Sequence, residues 1–419
     1  MITLARSVLS VSAMRIVAML AGVGAALLLA RWLGPAEFGR YSFALSVVTL
    51  VTLPLVQGLP VLAIREVSQA SSSDRAGVIA RLHWFSLLLL GALLALGVLV
   101  LLIRSLGIGS RAEAGNLWLF ALAAVVPLLI MYGQVLGAML RGSQRDVAGH
   151  AGDLVVRPIG FLVAIAMLWW VSGTPSAVSA MTANAAAICF GVAVSLFVLL
   201  PGLARPEVPV RLWLASLLPL SSVAGLQLVN GELGLVLIGL FRDDAEVGYY
   251  RIASTLALQT SFLLTVVNAV AAPRFAAAYS RGDFAMVKAL NGRSGVMAVG
   301  FGLLIFGCYA AAGRWAIEKA LGLEFVAAML PLLILSGAHV ATLFAGSTNV
   351  LLSMIGHERI VLRAALLALG VNSALSLVLV PVWGMSGAAV GAAVSLAVWR
   401  LYLYCQLGRV LDRAAGGAQ

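Results

Sequence analysis

The chain has 419 residues, of which 62% are hydrophobic and only 10% charged, with a formal net charge of +11 and a mean hydropathy of +1.06. A soluble domain carries about 25% charged residues, so the composition excludes an ordinary soluble fold and points to a membrane protein. The 27 Lys and Arg residues are scattered through short segments rather than gathered in runs, which argues against nucleic-acid binding as the origin of the positive charge.

The apolar runs are continuous rather than alternating, which predicts helices. A helix of about 20 such residues crosses about 30 Å of hydrocarbon. Twelve spans are expected, at 9–31, 42–64, 83–103, 116–138, 154–172, 177–200, 212–241, 250–272, 293–313, 326–352, 364–382 and 386–405. Every backbone polar group in lipid needs an internal partner, so the predicted fold class is an all-α polytopic membrane protein of about 12 transmembrane helices. The first span does not read as a cleaved signal peptide, because Arg15 interrupts it and Ala30-Arg31-Trp32 makes a poor cleavage site.

Between the first two spans lies Ala36-Glu37-Phe38-Gly39-Arg40-Tyr41, and the phrase returns as Ala245-Glu246-Val247-Gly248-Tyr249-Tyr250, an offset of 209. At the same offset Ala44 recurs as Ala253, Arg65 as Arg274 and Asp74 as Asp283. Gly142 and Arg145 recur as Gly356 and Arg359 at offset 214. This is a tandem duplication of six spans each. Pro35 and Glu37 mark a turn and the start of a helix, with the acid favouring the positive end of the helix that begins beside it. The halves join through the Pro-rich segment 201–209, which predicts an N-terminal lobe at 1–204 and a C-terminal lobe at 205–419.

The seventh span carries Gln227, Asn230 and Glu232, and Glu232 is the one acid placed well inside a span. A charge in mid-membrane is costly unless paired, hydrated or protonated, so Glu232 and Asn230 are candidates for coupling transport to a proton or sodium ion. The alternative is a structural partner for an arginine. His339 in the tenth span is a third coupling candidate, against a hydrogen-bonded structural role. Cys189, Cys308 and Cys405 lie far apart without metal-ligand spacing, and no cofactor is expected beyond a coupling ion.

With the N-terminus placed in the cytoplasm, 18 Lys and Arg fall on the cytoplasmic side and 8 outside, with Arg15 inside a span. Both termini are therefore expected in the cytoplasm. An even number of spans per half relates the two lobes by an axis along the membrane normal. No loop is long enough for a fused ATPase or glycosyltransferase domain, and no phosphate loop, nucleophile elbow or metal motif occurs, so the chain does not read as an enzyme.

The run 31–41 after the first helix, and its echo 244–253 after the seventh, resemble the signature of Wzx-type polysaccharide (O-antigen) flippases. That family belongs to the multidrug, oligosaccharidyl-lipid and polysaccharide exporter superfamily. The resemblance covers the whole chain in helix number and loop pattern. It implies two six-helix bundles arranged as a V, like the multidrug and toxin extruders (MATE), in a bacterial inner membrane. The implied activity is alternating-access transfer of a polyprenyl-diphosphate-linked oligosaccharide to the periplasmic leaflet for surface polysaccharide and lipopolysaccharide synthesis. The implied partners are that lipid-linked oligosaccharide, membrane lipids and other glycan-assembly proteins, with no nucleic acid.

Under that resemblance the diphosphate-binding candidates are Arg15, Arg65, Arg274 and Arg251, because a guanidinium holds phosphate through two parallel charge-assisted bonds. Arg65 and Arg274 are kept by both halves at the end of the second helix of each. Arg15 has three readings: it pairs with Glu232 across the lobes, it faces a hydrated cavity and binds phosphate, or it snorkels to the interface. An ion-coupled drug or cation exporter of the same superfamily is the transporter alternative, with Glu232 in its favour. A glycan polymerase or ligase is the enzymatic one.

Overall fold

The computed structural model describes residues 2–71, 73–105, 114–171, 176–199 and 210–416. Among them the chain is helical almost throughout, with no strand. Its principal helices are α1 (Ile2–Gln69), α2 (Arg75–Ser105), α3 (Ala114–Gly142), α4 (Asp146–Ala151), α5 (Arg157–Val171), α6 (Ala177–Leu199), α7 (Val210–Phe241), α8 (Asp244–Ala257), α9 (Phe262–Ser280), α10 (Phe284–Leu321), α11 (Met329–Thr342), α12 (Thr348–Met354) and α13 (Glu358–Gly416). Ten stretches among the described residues are long and apolar enough to cross a membrane, which makes this a multi-pass membrane protein.

The ten stretches hold the twelve expected spans because two of them are double. Ser10–Thr52 and Glu358–Arg413 run 43 and 56 residues. At about 1.5 Å per residue, either exceeds a hydrocarbon core of about 30 Å as one rod. Each contains a single non-helical residue, Gly34 (φ 72°) and Gly384 (φ 57°), in the left-handed region that only glycine enters without strain. The expected loop at 32–41 is therefore a one-residue break followed by Pro35 in the new helix's first turn, where its missing N–H costs nothing.

The chain divides into two compact units, Met1–Gly225 and Leu226–Gln419. The division falls inside α7, beyond the Pro-rich segment 201–209, which lies outside the described residues. The reason is packing. The Trp213 ring meets Phe85 edge-on with centroids 5.2 Å apart, and the Leu217 carbonyl approaches so near Gly58 that a Cβ there would lie 2.7 Å from it. In the first unit α3 is central, packed on α1, α2 and α6. In the second, α11 packs on α8, α10 and α13. Where α3 crosses α4, Gly137 and Gly149 meet so closely that a Cβ on either would stand 2.5–2.6 Å from the other's carbonyl. Small residues let backbones approach in this way, where apolar burial alone gives no drive between helices in lipid.

The repeated phrase holds each unit together at a distance. The Ala177 backbone N–H, at the start of α6, donates to Glu37 Oε2 at 2.7 Å. In the second unit the Met385 N–H, just past the Gly384 break, donates to Glu246 Oε2 at 2.8 Å. The acid thus satisfies an orphan donor at the N-terminus of the last helix of its unit, rather than of the helix it stands on. The helix bearing Glu246 is capped by Asp243 instead, whose Oδ1 accepts from the Glu246 N–H at 2.9 Å. Two further ties converge on the same places. Asn184 of α6 donates to the Tyr41 hydroxyl at 2.8 Å. Arg242 donates to the Val380, Pro381 and Val382 carbonyls at 2.7–3.3 Å, closing the helix before the break.

Glu37→Ala and Glu246→Ala should each destabilise the detergent-solubilised protein by about 1–3 kcal/mol, the cost of a lost cap whose donor stays part-buried. Lys288→Ala, which loses only an exposed pair with Asp412, should shift the thermal midpoint little. Equal midpoints for all three variants would show that the distant caps carry no stability.

Candidate functional site

In the second unit, Glu232 of α7 and Arg251 of α8 form a two-pronged ion pair. Arg251 Nη2 lies 3.1 Å from Glu232 Oε2 and Nη1 lies 3.3 Å from Oε1. Both side chains are about one-fifth exposed, at 21% and 22%. The hairpin geometry brings them level: they stand at similar chain distances on either side of the break near Arg242–Asp243, so they reach nearly the same depth. One residue expected to couple an ion thus holds one expected to bind diphosphate. Within its own hairpin the Glu232 carboxylate therefore holds an arginine, which is the structural alternative given for it.

Asn230, two residues earlier on α7 and so on a different face, is the node of a polar network. Asn372 Nδ2 donates to the Asn230 side-chain and main-chain oxygens at 2.9 and 3.0 Å. Ser395 Oγ lies 3.2 Å from Asn230 Oδ1 and 2.7 Å from the Ala368 carbonyl, and Ser376 Oγ donates to Asn372 Oδ1 at 2.9 Å. The network joins α7 to both arms of α13. Beside it lies a cavity of about 110 Å³ lined by Leu226, Gln227, Asn230, Ala365, Leu396 and Trp399. Gln227 Nε2 and Trp399 Nε1 are buried there without a hydrogen-bond partner among the described residues. Two unanswered donors beside an aromatic face suit an uncharged acceptor such as a hydroxyl better than a cation.

His339 is half-buried on α11, and the charged group near it is Arg400 of α13, whose Nη1 reaches the Gly346 carbonyl at 3.4 Å. A relay would want an acid there. Arg274 is exposed on α9, and Arg65, near the end of α1, pairs with its neighbour Glu66 at 2.9 Å.

Arg15 lies half-buried on α1, close enough to His150 of α4 for their charges to interact. It belongs to a charged cluster that the sequence reading did not assemble. Asp146, His150, Asp153 and Arg157 stand four, three and four residues apart, one stripe along α4 and α5. Arg141 of α3 joins them and donates to the Gly149 carbonyl at 2.9 Å. Asp153 sits between Arg141 and Arg157 electrostatically, in a π-helical turn (Gly152–Val156) that links α4 to α5. Such turns recur at functional sites because the extra residue re-aims the side chains around it. Glu232 is therefore not the one acid inside a span: Asp153 lies within the apolar stretch Asp146–Trp170. Starting that span at 154 left Asp153 outside and made Arg157 an edge residue, although the stripe spacing was there to be read.

The profile of the family described as "Polysaccharide biosynthesis protein" matches residues 4–278. No curated protein matches the chain. Among solved structures, an inward-facing multidrug resistance MATE family transporter of the MOP superfamily is similar at a TM-score of 0.77 and 13% identity, over 97% of this chain and 100% of that one. The lipid II flippase MurJ in an inward closed conformation gives 0.76 and 13%, over 97% and 89%. A MOP superfamily transporter from Pyrococcus furiosus, with a binding pocket described as of reverse polarity, gives 0.62 and 13%, over 97% and 96%. These likenesses establish the fold, that of the MATE-like transporters.

Glu232→Gln and Arg251→Gln should each destabilise the protein by on the order of 3 kcal/mol, since each strands the other's charge. The double variant should recover most of the loss. Thermal unfolding in detergent measures this, and additive losses would show that the two side chains do not act as a pair.

Proposed function

The chain belongs to the polysaccharide biosynthesis protein family, and we propose on that footing that it is a flippase. Its substrate would be a polyprenyl-diphosphate-linked oligosaccharide, moved from the cytoplasmic to the periplasmic leaflet of a bacterial inner membrane for surface polysaccharide such as O-antigen. The site is exposed to the two membrane faces alternately, and both termini are cytoplasmic, as the 18-to-8 bias of Lys and Arg favours.

One observation carries the choice of substrate. In the first unit the half-buried Arg141 and Arg157 flank Asp153, while the half-buried Arg15 stands near His150 and Asp146 is exposed, so cationic charge is in excess within the apolar stretch. Desolvated arginine is expensive in lipid unless something anionic answers it. A diphosphate supplies that charge in the planar geometry a guanidinium grips best. Arg15, on the first helix, pairs with no carboxylate among the described residues, and it is the residue assigned to the diphosphate; Asp153 is assigned to orienting Arg141 and Arg157. An exporter of cationic drugs would want surplus carboxylates, whereas the acids Glu232 and Asp153 both have arginines beside them. Coupling to a proton or sodium ion through Glu232, Asn230 or His339 remains part of the proposal. Arg251 serves it as the counter-charge of Glu232, while Arg65 and Arg274 stand at helix ends where an anionic headgroup first meets the protein.

In a flippase-null host, expression of this chain should restore surface polysaccharide and leave drug sensitivity unchanged. Arg15→Ala should abolish that restoration at unchanged protein level in the membrane, while Arg15→Lys keeps part of it. Full export by the alanine variant would remove Arg15 from the mechanism. Changed drug sensitivity without polysaccharide would favour the exporter.

A further inference from the structure

We propose that the second unit carries a site for an anionic phospholipid headgroup, separate from the transport reading. The site is a half-open pocket of about 430 Å³ where three chain segments meet: the end of α9 at Tyr279, the start of α13 at His357, and the last turns of α13 at Gln406, Arg409 and Arg413. Gln406, Arg409, Val410 and Arg413 follow the spacing of one helical face, so α13 turns a single basic stripe into the pocket.

The placement comes from the break at Gly384. Ile360 and Val410, which face each other in the pocket, stand at nearly equal chain distances before and after that glycine. At about 1.5 Å per residue, each arm of the folded helix is roughly 36–39 Å long, a hydrocarbon core of about 30 Å plus part of a headgroup layer. With the break at one membrane surface, the pocket lies at the other interface, at headgroup depth.

Its chemistry is that of a phosphate receptor. Two guanidiniums about one turn apart, a phenol and a carboxamide line the same space. Among the described residues no carboxylate lines it. Asp412, the nearest acid on the same helix end, is turned to Lys288 at 3.4 Å. The His357 Nδ1 lies 3.1 Å from the Ile355 carbonyl, which fixes the ring and leaves Nε2 available. Ile360 and Val410 give the apolar wall that the glycerol end of a lipid would need and a free ion would not. Basic pockets between helices at the membrane surface are the usual receptors for such headgroups.

The full-length protein in nanodiscs or by native mass spectrometry tests this with phosphatidylglycerol, phosphatidylcholine of the same acyl chains, and inorganic phosphate as probes. The wild type should retain phosphatidylglycerol over phosphatidylcholine by about tenfold or more, and Arg409→Gln/Arg413→Gln should abolish that preference. Arg409→Lys/Arg413→Lys should keep most of it, which shows that the fold is intact. Arg314→Gln, an exposed charge on α10, should leave it unchanged. An unchanged preference in the double glutamine variant overturns the site. An equal loss in Arg314→Gln overturns it in favour of unspecific charge attraction. Arginine-dependent binding of inorganic phosphate with no lipid preference overturns the lipid as ligand.

Discussion

Hydrocarbon neither hydrates a charge nor bonds a stray N–H, and this constraint sets where every polar group of the chain is found. The fork between Glu232 and Arg251 exists because neither ion can be alone at that depth. The acid of the repeated phrase, Glu37 or Glu246, answers a backbone donor exposed where a helix begins. Arg242 answers three carbonyls where a helix stops. At such points the helix ends leave backbone groups without intrahelical partners, and side chains supply them.

Against that rule the two halves diverge. The duplicated parts are scaffold: the capping acids, the tyrosine beside them and the aspartates that start the following helices. The parts without a twin are charged or amide-rich. In the first unit they form the stripe of Asp146, His150, Asp153 and Arg157, with Arg15 and Arg141. In the second they form the fork and the network around Asn230. Duplication supplies a frame twice, and each copy has then been given a different polar interior. The first is ionic with a surplus of arginine, and the second pairs Glu232 with Arg251 and has a small cavity that presents unanswered donors.

The spans were legible in the sequence because hydropathy depends on local composition alone, and the break after Leu33 was legible because Gly-Pro is a local turn signal. The Glu232–Arg251 fork was within reach of simple arithmetic, since two residues at similar distances from a tight turn lie side by side. Asp153 was missed through a span edge set one residue too late, although the stripe spacing held the clue. The partners of Glu37 and Glu246 were not legible at all. A carboxylate that reaches a backbone N–H far along the chain leaves no periodic mark, because any residue supplies an N–H. The break at Gly384 was bracketed in advance by the expected spans 364–382 and 386–405, but the Glu246 carboxylate pressed against it was not legible.

Those caps have a consequence in time. Glu37 precedes its donor Ala177 by 140 residues, and Glu246 precedes Met385 by 139. At a synthesis rate of about 5–20 residues per second, each carboxylate waits roughly 7–28 s for the helix it is built to receive. During that interval the first hairpin of each unit is in the membrane without the donor its acid will hold, with Glu37 meeting only its near neighbour Arg40 at 2.8 Å. The arrival of the last helix closes the unit, so each half has a built-in final step. A ribosome that stalls before residue 177 or 385 leaves a body that is inserted but not fastened.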